Sequence, residues 1–86
     1  MKKILYSEEK RRILIEERQI DLEEIVDLIE EEKIIADIEN PTHQNQRIFI
    51  VDYHWYIVCI PYVEDEEKIF LKTAYPNRKF NKLFNT

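Results

Sequence analysis

Eighty-six residues with 44% hydrophobic and 12% aromatic content are enough for one small core and exclude a disordered chain. The absence of glycine excludes Gly-rich phosphate loops and dinucleotide fingerprints, and it leaves tight turns to Asn, Asp, Pro and His. A net charge of −5 argues, taken as a bulk figure, against nucleic acid as a partner.

The distribution of charge says more. Residues 1–12 carry five cations against two carboxylates, and residues 66–86 carry five against two. Residues 13–65 carry three against fourteen. If the two basic ends meet in the fold, the molecule has a basic patch despite its acidic balance. The single Cys59 excludes an internal disulfide and a cysteine-based zinc site, and it fits a reducing compartment. No signal-peptide pattern follows Met1-Lys2-Lys3, and no run approaches the roughly 18 apolar residues of a membrane span. The expectation is a cytoplasmic protein, residues 1–86 forming one domain.

In chain order, Ser7 caps a first helix over residues 8–18, with Glu8 and Glu9 placed for the helix dipole. Its apolar content is compressed into Ile13-Leu14-Ile15, a triplet that a strand would also accept. Asp21 caps a second helix over residues 22–32, with Glu24 three residues on as in a capping box and Ile20 positioned to staple onto Ile25. Leu22, Ile25, Val26 and Ile29 form its apolar stripe, and carboxylates line the rest. Residues 33–39 alternate as an edge strand, and residues 40–46 form a polar loop opened by Asn40-Pro41.

Residues 47–52 read as a strand and Tyr53-His54 as a turn. The nearly unbroken apolar run from Trp55 to Val63 reads as a central strand buried on both faces, with its ladder interrupted near Pro61. A last strand spans residues 68–74. Pro76 breaks it, and Asn77 caps a helix to about residue 84. The fold class is therefore α+β, with two N-terminal helices, an antiparallel sheet of three to four strands with the helices on one face, and a C-terminal helix. Arg78 and Lys79 then fall in a helical first turn, where the dipole disfavours cations unless an anion is bound there.

Few residues can carry chemistry. His43 and His54 lie in separate loops without ligand spacing, so no metal site is expected. Cys59 sits in the most apolar run, where a thiolate is costly. RNA cleavage through the 2′-hydroxyl needs no metal; it needs a proton acceptor, a cation for the phosphate and a proton donor. Lys10, Arg47, His43, Lys72, Tyr75, Arg78 and Lys79 supply those types. The bland alternatives are a snorkelling Lys72 and an Arg78 paired with the acidic middle.

Two motifs then suggest a family. Tyr6-Ser7-Glu8-Glu9-Lys10, followed after a helix by Ile20-Asp21-Leu22-Glu23-Glu24, resembles the opening of BrnT-like toxins, which carry an aromatic-Asp-x-x-Lys run and a hydrophobic-Ser-Phe-Glu-Glu helix start at the same spacing. Thr73 to Lys82, with Pro76-Asn77-Arg78, is similar to the family's strand-Ser-x-Arg-helix segment. The chain departs from the pattern at Ser7, at Glu17-Arg18-Gln19 and at Phe80.

The resemblance implies a RelE-like fold and the toxin of a bacterial type II toxin–antitoxin module. It implies a ribonuclease that blocks translation, needs no cofactor, is held by a cognate antitoxin protein and meets DNA through that antitoxin. Lys10 matches the family's early lysine, Arg78 its C-terminal arginine and Arg47 a basic residue opening the second strand. On this reading Arg78, Lys79, Lys72 and Arg47 hold the scissile phosphate, and Lys10, Tyr75 or His43 move protons. The rival expectation is a non-catalytic interaction domain whose acidic helix binds a basic partner.

Overall fold

Two capped helices lie against one face of a sheet in a computed structural model that describes residues 2–77. The chain runs β1 (Lys3–Tyr6), α1 (Glu8–Arg18), α2 (Leu22–Glu30), β2 (Ile34–Glu39), β3 (Arg47–Tyr53), β4 (Tyr56–Glu64), β5 (Lys68–Leu71) and β6 (Tyr75–Pro76). The architecture is α+β, as composition and patterning predict.

The helices form where local signals place them. Ser7 accepts the Lys10 amide, and Asp21 accepts the Glu23 amide through its carboxylate. Gln19 takes the left-handed conformation that ends α1, a position glycine would usually fill. Its amide and that of Ile20 close back onto Ile15 and Leu14, and Ile20 drops fully into the core. On α2, Leu22, Ile25 and Ile29 are buried, as the stripe requires, each contributing about 2 kcal/mol of apolar transfer. The reciprocal half of the expected capping box is absent, because Glu24 turns instead to His54 across the fold. The helix also ends at Glu30, before the carboxylate run is complete.

The sheet departs from the expected three or four antiparallel strands. Among the described residues it has six strands, with β1-β5-β4-β3-β2 side by side and β6 pairing with β4. β1 and β5 are parallel, so the sheet is mixed. β1 is too short, and its partner too distant in sequence, to announce itself by periodicity. It joins the two basic ends, with Lys3 opposite Lys68. The predicted edge strand is β2.

The predicted strand over residues 68–74 is two strands with a slip between them. β5 pairs Tyr62 with Leu71, whereas β6 pairs Cys59 with Tyr75. Lys72-Thr73-Ala74 thus faces Ile60-Pro61, three residues against two, which is a β-bulge. Pro61 supplies the cause. Its carbonyl accepts the Lys72 amide at 2.8 Å, so its ring nitrogen, which has no hydrogen to give, faces the same segment. The interruption expected near Pro61 occurs on this side. On the other side the β3 pairing runs through, with Ile48 opposite Pro61.

Two apolar clusters result. The larger joins both helices to Phe49, Val51, Tyr53, Val58, Ile60, Tyr62 and Leu71. The opposite face carries Ile48, Ile50, Ile57 and Cys59, with Ala36 and Tyr75 against them. The central strand is buried on both faces, but it begins at Tyr56. The turn is His54-Trp55 rather than Tyr53-His54, and Trp55 is 90% exposed instead of buried. The expected C-terminal helix, apart from Asn77, lies outside the described residues. The Asn77 amide donates to the Ile57 carbonyl. Among the described residues no helix is long and apolar enough to cross a membrane.

Candidate functional site

The bulge pushes Lys72 out of the regular ladder, and two depressions open on either side of it. One, of about 360 Å³, is lined by Ser7, Glu9, Lys10, Ile13, Phe70 and Lys72. The other, of about 310 Å³, is lined by Thr42, His43, Pro61, Lys72, Thr73 and Tyr75 among others. Lys72 is common to both. Its ammonium lies 5.7 Å from the centre of the Phe70 ring, within cation–π range. The bulge itself is braced by α1, where Arg18 Nη1 donates to the Ala74 carbonyl at 2.7 Å. Cations of the first helix therefore reach the β5–β6 break in two places.

The polar loop holds His43 through the Thr42 side chain. The Thr42 hydroxyl donates to Asn40 Oδ1 at 3.0 Å, and Asn40 is itself oriented through its amide to Gln46. Thr42 Oγ1 and His43 Nδ1 are 2.9 Å apart. In the tautomer whose Nδ1 donates to Thr42, the free lone pair of neutral His43 is on Nε2.

Burial holds the Tyr75 phenol above the ordinary tyrosine range, the Cys59 sulfur beside it acting in the same direction, so the phenol keeps its proton at neutral pH. Burial likewise pushes the Cys59 thiol up, against a hydrogen bond from Asn77. That agrees with the reading of Cys59 as an apolar core residue rather than a nucleophile.

The candidates thus divide. Lys10, His43, Lys72 and Tyr75 converge around the bulge. Arg47 lines a further depression with His43 and is engaged there by Asp37. Its Nε donates to Asp37 Oδ1 at 3.0 Å and its Nη2 to the Asp37 carbonyl at 2.9 Å. The Tyr62 hydroxyl donates to both oxygens of the same carboxylate. Tyr62 in turn stacks on Phe49 with ring centres 3.9 Å apart. Arg47 is therefore a strut between β2 and β3, and the register gives the reason, since Arg47 faces Glu39 one step from Asp37. Arg78 and Lys79 lie outside the described residues.

Compared with protein-family models, with curated proteins and with solved structures, the chain matches none.

Three residues that matter to this geometry carried no sequence signal. Thr42 is one more polar loop residue until its hydroxyl is seen to fix His43. Arg18 reads as a solvated helix end, and Arg11 as one of a run of cations. Arg11 in fact forks onto Asp21 at 2.8 and 3.2 Å and reaches Glu23 at 3.1 Å, tying α1 to the cap of α2. Among the described residues no three of His, Cys, Asp and Glu stand together as a metal-ligand set.

Proposed function

We propose that this domain is a metal-independent endoribonuclease, the toxin component of a bacterial type II toxin–antitoxin module in a cytoplasmic setting, neutralised by a cognate antitoxin protein. The observation that carries the reading is the position of Lys72 on the bulge, between a depression that holds Lys10 and Phe70 and one that holds His43 and Tyr75. The toxin context comes from the motif resemblance at Lys10 and in the segment after Thr73.

In this mechanism Lys10 and Lys72 bind the scissile phosphate and stabilise the charge that grows on its oxygens. A base of the RNA stacks on Phe70. His43 Nε2 takes the proton of the 2′-hydroxyl, and the 2′-oxygen attacks phosphorus. The 5′-oxygen leaves with a proton from the Tyr75 phenol. The products are a 2′,3′-cyclic phosphate and a free 5′-hydroxyl, and the proton on His43 returns to Tyr75 through solvent. Arg78 and Lys79, which follow β6 in the chain, are assigned to the same phosphate from the sequence.

The test is incubation of the purified protein with single-stranded RNA in excess chelator, alongside induced expression in bacteria. Cleavage to cyclic-phosphate ends and arrested growth are expected. Lys72→Ala and His43→Ala are each expected to slow cleavage by about a hundredfold. Intact RNA with normal growth, or a Lys72→Ala variant as active as wild type, overturns the proposal.

A further inference from the structure

The β3–β4 hairpin ends in a feature that neither the core nor the Lys72 site uses. Its two-residue turn is His54-Trp55, with φ of 50° and 76°. Hairpins of this kind favour Asn-Gly, because both central residues need positive φ. Gln19, Glu32, Asn45 and His54 also take positive φ, but they are polar residues. A tryptophan there is a bulky side chain held in an unfavourable backbone region while 90% exposed. Burial does not compensate for it.

The tip is also held rigidly. His54 Nε2 lies 2.7 Å from Glu24 Oε2 in the first turn of α2, and the His54 ring meets Tyr53 edge-on at 4.4 Å. The Tyr53 hydroxyl accepts the Asp21 amide at 3.0 Å, so the strand leading into the turn is bonded to the cap of α2. The Trp55 ring is therefore presented on a fixed arm.

The surroundings select the kind of partner. Residues 19–32 and 48–67 contain no lysine or arginine. Asp27 stands one turn from Glu24 on the same side of α2, and Asp52 lies on the hairpin itself; among the described residues neither is in an ion pair. An exposed aromatic on an acidic, lysine- and arginine-free part of the surface repels a phosphate backbone and attracts a guanidinium, for which tryptophan is the best π partner. Trp55 lies at the opposite end of β4 from the residues that face Lys72, roughly 20 Å away at strand rise.

We propose that the Trp55 hairpin tip and the first two turns of α2 form a docking surface for an arginine-bearing segment of a protein partner, with a guanidinium stacked on the indole. The surface is independent of the Lys72 site.

Trp55 is the sole tryptophan of the chain, so its emission reports on the tip alone. The experiment titrates the full chain with a short peptide alternating arginine and serine at physiological salt. Fluorescence and acrylamide quenching are followed, and anisotropy of the labelled peptide gives the affinity. A saturable change in emission with protection from quencher is expected. A lysine version should bind more weakly and a glutamate version not at all. Trp55→Ala should weaken binding about tenfold and Trp55→Tyr less. The double variant Asp27→Asn, Asp52→Asn should weaken it and reduce its salt dependence, and Lys72→Ala should leave it unchanged. Circular dichroism confirms that each variant is folded. Equal affinity for Trp55→Ala and wild type overturns the proposal, as does an unmoved emission. Better protection by single-stranded oligouridylate than by the arginine peptide also overturns it, and makes the tip a base-stacking surface instead.

Discussion

Asp21 concentrates several local tasks in one residue. Its carboxylate accepts the Glu23 amide and the fork of Arg11, its own amide donates to Tyr53, and its carbonyl accepts the Ile25 amide. The Arg11 guanidinium, helped by the Glu23 amide and opposed by partial burial, holds the carboxyl below its ordinary 3.8. A carboxyl depressed by folding adds stability that is fully present above the unfolded value. That stability is lost as pH falls through the folded value. Asp21→Asn keeps the cap but not the ion pair, so urea melts should show wild type ahead at pH 7 and the two converging as pH falls through the depressed folded value, below 3.8. Asp21→Ala loses the cap as well and should cost about 1 kcal/mol more than Asp21→Asn at any pH. At Trp55 the same scale of reasoning predicts an inversion of the usual order. With φ at 76°, Trp55→Gly should melt higher than Trp55→Ala by about 1 kcal/mol, whereas in an ordinary strand glycine is the poorer choice.

At the scale of elements, what could be read from the chain was what is encoded locally. Ser7 and Asp21 caps and the Leu22-Ile25-Ile29 stripe lie within a few residues of what they organise, and both helices are where those signals put them. β1 escapes notice because four residues give no measurable period and its parallel partner is 65 positions on. The hairpin turn is misplaced by one residue because a chain without glycine gives no turn signal there, and Trp55 continues an apolar run that is genuinely buried from Ile57 onward. The site was legible as residue types: Lys10, His43, Lys72 and Tyr75 are all visible in the sequence. What brings them together is the slip opposite Pro61, a non-local event, and the loss of Arg47 to Asp37 depends on a strand register no local pattern fixes. The bulge is braced by Arg18 on the Ala74 carbonyl, so Arg18→Ala should destabilise by about 1 kcal/mol. It should also speed hydrogen exchange at the Lys72 amide more than at amides of β3.

For the molecule as a whole, the two functional proposals put unlike charge at the two ends of β4, with Lys10 and Lys72 at one and Glu24 and Asp27 at the other. Net charge hides this separation. It should show in the salt dependence of RNA binding. Each phosphate contact on a single strand contributes a log–log slope of about −0.7, so Lys10→Ala and Lys72→Ala should each make the wild-type slope shallower by that amount. Asp27→Asn should not change it.

The parallel pairing of β1 with β5 also sets an order of assembly during synthesis. Lys3 to Tyr6 leave the ribosome 65 residues ahead of their partner, and their hydrogen-bonding edge stays unpaired until Lys68 to Leu71 have followed. Until then the first helix hangs from an unanchored strand, and Lys10 has no Lys72 to face. On the proposed ribonuclease function, a nascent chain would therefore stay inactive toward the message producing it until Lys68 to Leu71 had emerged. A ribosome-stalled chain ending at residue 66 should accordingly leave RNA uncut and remain open to proteases, and release of the longer chain should end both conditions together.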